Sequence, residues 1–97
     1  MKYHVPVLLN ESIKGLSIKP EGTYVDLTFG GGGHSKLILE KLNSKGKLFS
    51  FDTDTDAIKN NPISQDNFEL INSNFKFFDL YLKNKGIYEV DGILADL

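Results

Sequence analysis

The chain has 97 residues, with 40% hydrophobic and 25% charged side chains, which bounds it to one globular domain with a modest core and excludes global disorder. All 11 basic residues are Lys and the formal net charge is -2, so no strong basic field draws the segment to nucleic acid. Cysteine is absent, which excludes disulfides, thiolate zinc sites and a cysteine nucleophile.

The opening residues, Met1 to Pro6, lack a signal-peptide h-region, and no apolar run approaches a membrane span. A cytoplasmic protein is the expectation. Leu8, Leu9, Ser12, Ile13 and Leu16 follow helical spacing and predict a helix over 7–16. Pro20-Glu21-Gly22 signals a turn. Thr23 to Phe29, rich in Tyr, Val, Thr and Phe, predicts a strand. Gly30 to Gly33 turn the chain into a helix over His34 to Leu42, with Leu37, Ile38 and Leu42 on one face.

Lys47 to Phe51 predicts a second strand, ending in Asp52. Asp54 or Thr55 caps a helix running towards Asn60, and Pro62 breaks it. Phe68 to Ile71 predicts a third strand. Phe75 to Lys83 predicts a helix in which Phe78, Tyr81 and Leu82 group together. Val90 to Leu97 predicts a fourth strand. This alternation of strands and helices predicts a parallel sheet flanked on both faces, with right-handed crossovers. A parallel strand needs neighbours, so a last strand that runs to Leu97 suggests a truncated domain over residues 1–97.

Val25 to His34 describes a strand entering, glycines turning the chain and a helix leaving. Glycines let the backbone approach a ligand closely, and the helix N-terminus offers free N–H groups. Asp52 lies 22 residues after Gly30 at the end of the second strand, the position of an acid that accepts hydrogen bonds from ribose hydroxyls. Together these indicate a nucleoside-containing cofactor. A dinucleotide fingerprint wants a third glycine, and Ser35 or Lys36 stands there instead. The motif therefore favours S-adenosyl-L-methionine over nicotinamide, and Asp26 fits the acid that begins such a turn. A βα turn that merely tolerates glycine is the bland alternative.

Four strings carry a family resemblance: His4-Val5-Pro6-Val7-Leu8-Leu9-Asn10-Glu11, Asp26 through Ser35, Phe51-Asp52-Thr53-Asp54 with Ala57-Ile58, and Asp91 through Leu97. In order and approximate spacing they resemble the bacterial 16S ribosomal RNA (cytosine-N4) methyltransferases over essentially the whole chain. The run Thr28 to Ser35, with His34 directly after the glycines, is the most specific part. Thr55 and Asp56 depart from the expected Pro and variable residue.

The resemblance implies a Rossmann-like methyltransferase fold, with S-adenosyl-L-methionine as cofactor and 16S ribosomal RNA as partner. It implies that Gly32, Gly33 and His34 line the methionine end of the cofactor, that Asp52 holds the ribose and that Phe75 packs near the adenine. It implies that Asp96 sits where the methyl group meets the target amine, serving both cofactor binding and catalysis. It also implies that the family's substrate-side helical subdomain and the rest of its sheet follow Leu97, so that this segment alone is inactive.

Other readings stay beside this one. His34 also fits a helix-capping residue, and Phe75 a core aromatic. Asp52-x-Asp54-x-Asp56 does not fit a calcium loop, because Ala57 and Ile63 occupy the positions that need Gly and Glu. The same aspartates resemble the nucleophile motif of aspartate-based phosphatases, although they follow a second strand and not a first. A non-enzymatic cofactor-binding fragment is the remaining alternative.

Overall fold

The computed structural model describes residues 17–95. The helix expected over 7–16, His4, Asp96 and Leu97 lie outside them. The described residues form β1 (Thr23–Asp26), α1 (Gly33–Lys41), β2 (Lys47–Asp52), α2 (Thr55–Lys59), β3 (Phe68–Asn72), a single 3-10 turn (Phe75–Phe77), α3 (Phe78–Asn84) and β4 (Gly92–Leu94). All strand pairs are parallel, and the order across the sheet is β3-β2-β1-β4.

β1 is central. Val25 lies opposite Phe49 of β2 on one side and Ile93 of β4 on the other. The chain steps outward through β2 and β3, then crosses back to place β4 beside β1. That reversal makes the β1/β4 border a topological switch point, and ligands of open α/β sheets bind beyond the C-terminal strand ends at such borders.

Side-chain alternation along the strands divides the core into two layers. Val25, Phe49, Phe51, Ile71 and Ile93 point to the face covered by α3, where Leu82 is fully buried and Phe78 and Tyr81 pack alongside. Tyr24, Leu48 and Leu94 point to the opposite face, covered by Ile38 and Leu39 of α1. Helices thus flank both faces, as the alternation of elements predicts. α2 buries none of its five residues fully and serves mainly to connect β2 to β3.

Three element boundaries differ clearly from the sequence expectation. The strand expected over Val90 to Leu97 is confined, among the described residues, to Gly92–Leu94, because Asp91 at its start engages Thr23 through both its N–H and its carboxylate. The first strand ends at Asp26 and not at Phe29, because the Asp26 carboxylate accepts the Thr28 N–H and bends the chain. The backbone still follows the sheet beyond that bend: Leu27 N–H donates to the Leu94 carbonyl at 2.8 Å and Phe29 N–H to the Phe51 carbonyl at 3.1 Å. The expected helix from Phe75 begins as a 3-10 turn, whose cap is the Asn74 side chain accepting the Lys76 N–H. At the opposite end of the sheet, Asp91 N–H donates to the Thr23 carbonyl while Thr23 N–H donates to the Asp91 carboxylate, a reciprocal clasp that seats β4.

Candidate functional site

The C-terminal ends of β1, β2 and β3 open into a cleft of about 420 Å³ lined by Leu27, Thr28, Gly30, Phe51, Asp52, Thr53, Ser73, Asn74 and Phe75. Two of the residues expected at a cofactor site, Asp52 and Phe75, meet here with the first glycine of the turn. Gly32, Gly33 and His34 do not line this cleft; they stand at the head of α1. A shallower hollow of about 250 Å³ continues from Gly30 and Gly31 past Asp52 to Asp54 and Asp56. Another of about 310 Å³ lies at the other end of the strands, beside Lys47, Phe68, Glu69 and Lys85. There the Lys85 ammonium is already paired with the Glu69 carboxylate at 2.9 Å, and no glycine turn adjoins it. The cleft at the C-terminal ends is therefore the candidate.

The glycine turn has a specific conformation. Gly32 has φ 89°, in the left-handed region that a Cβ disfavours, and a Cβ built there would lie 3.0 Å from the Phe29 ring. Phe29 itself is buried and stacks on Phe68 at 5.8 Å between ring centroids. Gly32 N–H donates to the Phe29 carbonyl, and the Gly32 carbonyl accepts the first helical bond from Lys36. By contrast, a Cβ at Gly30, Gly31 or Gly33 would meet nothing within 4 Å. The turn thus presents open space along its backbone, of the kind a ligand needs for close approach.

Asp52 ends β2 and faces this turn. One carboxylate oxygen accepts the Gly30 N–H at 2.8 Å and the other accepts the Asp54 N–H at 2.8 Å. Asp54 in turn accepts the Asp56 N–H and caps α2. Each oxygen of Asp52 has a further lone pair, so the carboxylate can accept from a pair of vicinal hydroxyls without releasing the turn. Phe75, 40% exposed, offers an aromatic wall at the other side of the cleft. This donor and acceptor set fits a nucleoside. Among the described residues, no group of three or more His, Cys, Asp or Glu side chains could hold a metal ion.

Beneath the turn Asp26, the acid the sequence places at its start, joins a polar network with Ser35 and Ser50, whose part the sequence reading did not single out. Asp26, Ser35 and Ser50 are each 0% exposed. The two Asp26 oxygens accept from Thr28 N–H at 3.0 Å and from the Ser35 hydroxyl at 2.8 Å, and the Ser35 and Ser50 hydroxyl oxygens lie 2.7 Å apart. Burial pushes the Asp26 carboxyl above its ordinary value, while the Ser35 hydroxyl, the Thr28 donors and the charge of His34 act against that rise. The available signal was Ser50 itself, a polar residue inside the apolar run Leu48-Phe49-Ser50-Phe51.

Asp96 directly follows Ala95, which is buried at the end of β4, but lies itself outside the described residues.

The chain is 58% identical over 97 residues to the ribosomal RNA small subunit methyltransferase H of Flavobacterium johnsoniae, covering 100% of this chain and 32% of that relative. It is 55% identical over 96 residues to the protein of the same name from Christiangramia forsetii, covering 99% of this chain and 32% of the relative. The chain therefore spans about a third of the length of the curated relatives it matches. Among solved structures, a provisionally named rRNA-methylase from Clostridium thermocellum superimposes with a TM-score of 0.67 at 26% identity, covering 80% of this chain and 48% of that one. The parallel sheet with flanking helices is thus a Rossmann-like methyltransferase fold. The family model of the MraW methylases matches residues 1–97, and the chain belongs to that family.

Proposed function

We propose that residues 1–97 are the S-adenosyl-L-methionine-binding part of an enzyme that methylates the exocyclic N4 amine of a cytosine in 16S ribosomal RNA. The observation that carries this reading is the placement of Asp52, whose carboxylate lies against the Gly30 N–H in the same cleft as Phe75. In this reading Asp52 accepts from the ribose hydroxyls and Phe75 packs against the adenine. Gly32, Gly33 and His34 serve the methionine end at the head of α1. The family and the names of its relatives support a ribosomal RNA substrate, and a cytoplasmic setting goes with that reading.

The bound cofactor supplies an electrophilic methyl group on a sulfonium. The protein's task is placement. A cytosine amine is a poor nucleophile because its lone pair is delocalised into the ring, so alignment of amine and methyl dominates the rate. Asp96 follows β4, the strand beside β1 at the switch point, and accepts an amine N–H as the nitrogen pyramidalises. The target base leaves its stack to reach the site. Segments beyond this third of the relatives' length supply the RNA-binding side, so the 97 residues alone bind cofactor without turnover.

Calorimetric titration of S-adenosyl-L-methionine into the chain and into Asp52→Ala tests the cofactor half of this reading. Binding by the first and loss in the second is the expected result. A folded chain that binds neither alone nor when extended to the relatives' length rejects it. Full turnover of Asp96→Asn in the complete polypeptide, with unchanged cofactor affinity, rejects the role given to Asp96.

A further inference from the structure

The residues between Thr28 and Ser35 include four consecutive glycines, the segment of this chain with the greatest backbone freedom to lose on ordering. A binding site built on such a segment needs it held at both ends. The two ends are held by the same side chain. Asp26 accepts Thr28 N–H, where the turn begins, and the Ser35 hydroxyl, in the first turn of α1 where it ends.

The hydroxyl protons fix the order of this network. A serine has one proton to donate and lone pairs to accept with. Ser35 spends its proton on Asp26, so across the 2.7 Å contact Ser50 is the donor and Ser35 the acceptor. Ser50 lies opposite Asp26 in the β1–β2 register, and β2 also carries Asp52, which takes the Gly30 N–H. β2 thus reaches the turn twice, once through its terminal carboxylate and once through Ser50 and Ser35. Ser35 and Ser50 do not line the cleft.

The geometry points to Ser35 as a positioning residue of the cofactor site: backed by Ser50, it lets one buried carboxylate pin both ends of the glycine turn. This inference rests on the S-adenosyl-L-methionine reading. It differs from a simple core role because its effect falls on the turn and on ligand affinity while the sheet stays intact. Across the sheet Asp26 lies opposite Ser50 of β2 and Leu94 of β4.

The test is titration of S-adenosylhomocysteine, the unreactive form of the cofactor, into the complete polypeptide and its Ser35→Ala and Ser50→Ala variants, with amide hydrogen exchange in parallel. Ser35→Ala is expected to bind about tenfold more weakly, since a buried hydrogen-bond partner is removed. Its amides over residues 30–34 exchange faster while those of β1 and β2 keep their protection. Ser50→Ala shows the same pattern more weakly. Parent-like affinity in Ser35→Ala overturns the inference. So does a loss accompanied by uniformly faster exchange across β1 and β2, which marks a structural role alone. If Ser35→Ala does not fold, Ser50→Ala decides: parent affinity and unchanged turn exchange in that variant overturn the inference. Absence of binding by the parent rejects the cofactor reading, and this inference with it. Binding by the parent together with indifference to Ser35 rejects the inference alone.

Discussion

The Asp52 carboxylate and the Gly30 backbone N–H are joined at 2.8 Å, so the acid that ends β2 also shapes the turn that follows β1. Asp52→Asn and Asp52→Ala should therefore separate two effects. The asparagine oxygen keeps an acceptor for Gly30, but its amide nitrogen cannot accept the Asp54 N–H, and the charge that strengthens bonds from ribose hydroxyls is lost. The alanine loses the acceptor for Gly30 as well. Calorimetric affinities for S-adenosyl-L-methionine should fall in the order parent, asparagine, alanine. An asparagine variant that binds no better than the alanine would show that the acceptor kept for Gly30 contributes nothing to binding.

Two adjacent glycines should behave differently. Gly32→Ala forces a Cβ into the left-handed region and to within 3.0 Å of Phe29, and should cost at least about 1–2 kcal/mol of stability. Gly31→Ala meets no neighbour and should leave stability within about 0.5 kcal/mol of the parent. Its methyl group nevertheless enters the space along the turn and should weaken cofactor binding. Chemical denaturation and titration of the two variants side by side check both halves.

The Asp26 carboxyl is raised above 3.8 by burial, which outweighs the Ser35, Thr28 and His34 contributions that lower it. With the folded value above the unfolded one, the native state holds this proton more tightly. The contribution of Asp26 to stability is fully present below the unfolded value and is lost as pH rises through the folded value. Asp26→Asn cannot ionise and escapes that loss. The melting temperature of the variant minus that of the parent should therefore increase from about pH 3 towards neutrality. A difference that is flat with pH would contradict the buried anion.

Glu69 shows the opposite sign. Partial burial alone would raise its carboxyl, but hydrogen bonds from Tyr81 and Lys85 and the Lys85 charge outweigh this and hold it below 4.5. Its contribution is present above the unfolded value and is lost as pH falls through the folded one. The stability difference between the parent and Glu69→Gln should be largest near neutrality and shrink under acid, as followed by thermal melts.

Leu82 and Leu80 sit two residues apart on α3 with opposite fates. Leu82 is fully buried against the sheet, and Leu80 is 60% exposed. Leu82→Ala should cost about 2–5 kcal/mol and Leu80→Ala within about 0.5 kcal/mol, measured by denaturant midpoints.

The order of elements was legible because apolar and β-branched runs alternate with helical spacings, and each described strand falls where its run does. The strand ends were not. Nothing in the pattern Thr23 to Phe29 reveals that Asp26 will take the Thr28 N–H and bend the chain there. In the same way, only the folded Asn74 cap shows that the helix after β3 opens with a 3-10 turn. Asp52 and Phe75 were legible because residue type and position relative to a strand end coincide, and the fold brings both to one cleft. Ser35 and Ser50 were not, since two serines 15 residues apart become partners only when α1 lies down on β2.

The central position of β1 has a consequence for synthesis. Among the described residues β1 is the first strand to leave the ribosome, yet its own pairing is completed only when β4, the last of them, arrives. Thr23 must wait for Asp91, 68 residues later, before the clasp can close and β4 can cover its second edge. β2 and β3 can assemble on β1 long before that. In the interval the nascent chain carries an open parallel edge in the middle of its future sheet, the kind of surface that pairs with a neighbouring chain. Delays in translation between β3 and β4 should therefore favour aggregation more than equal delays elsewhere.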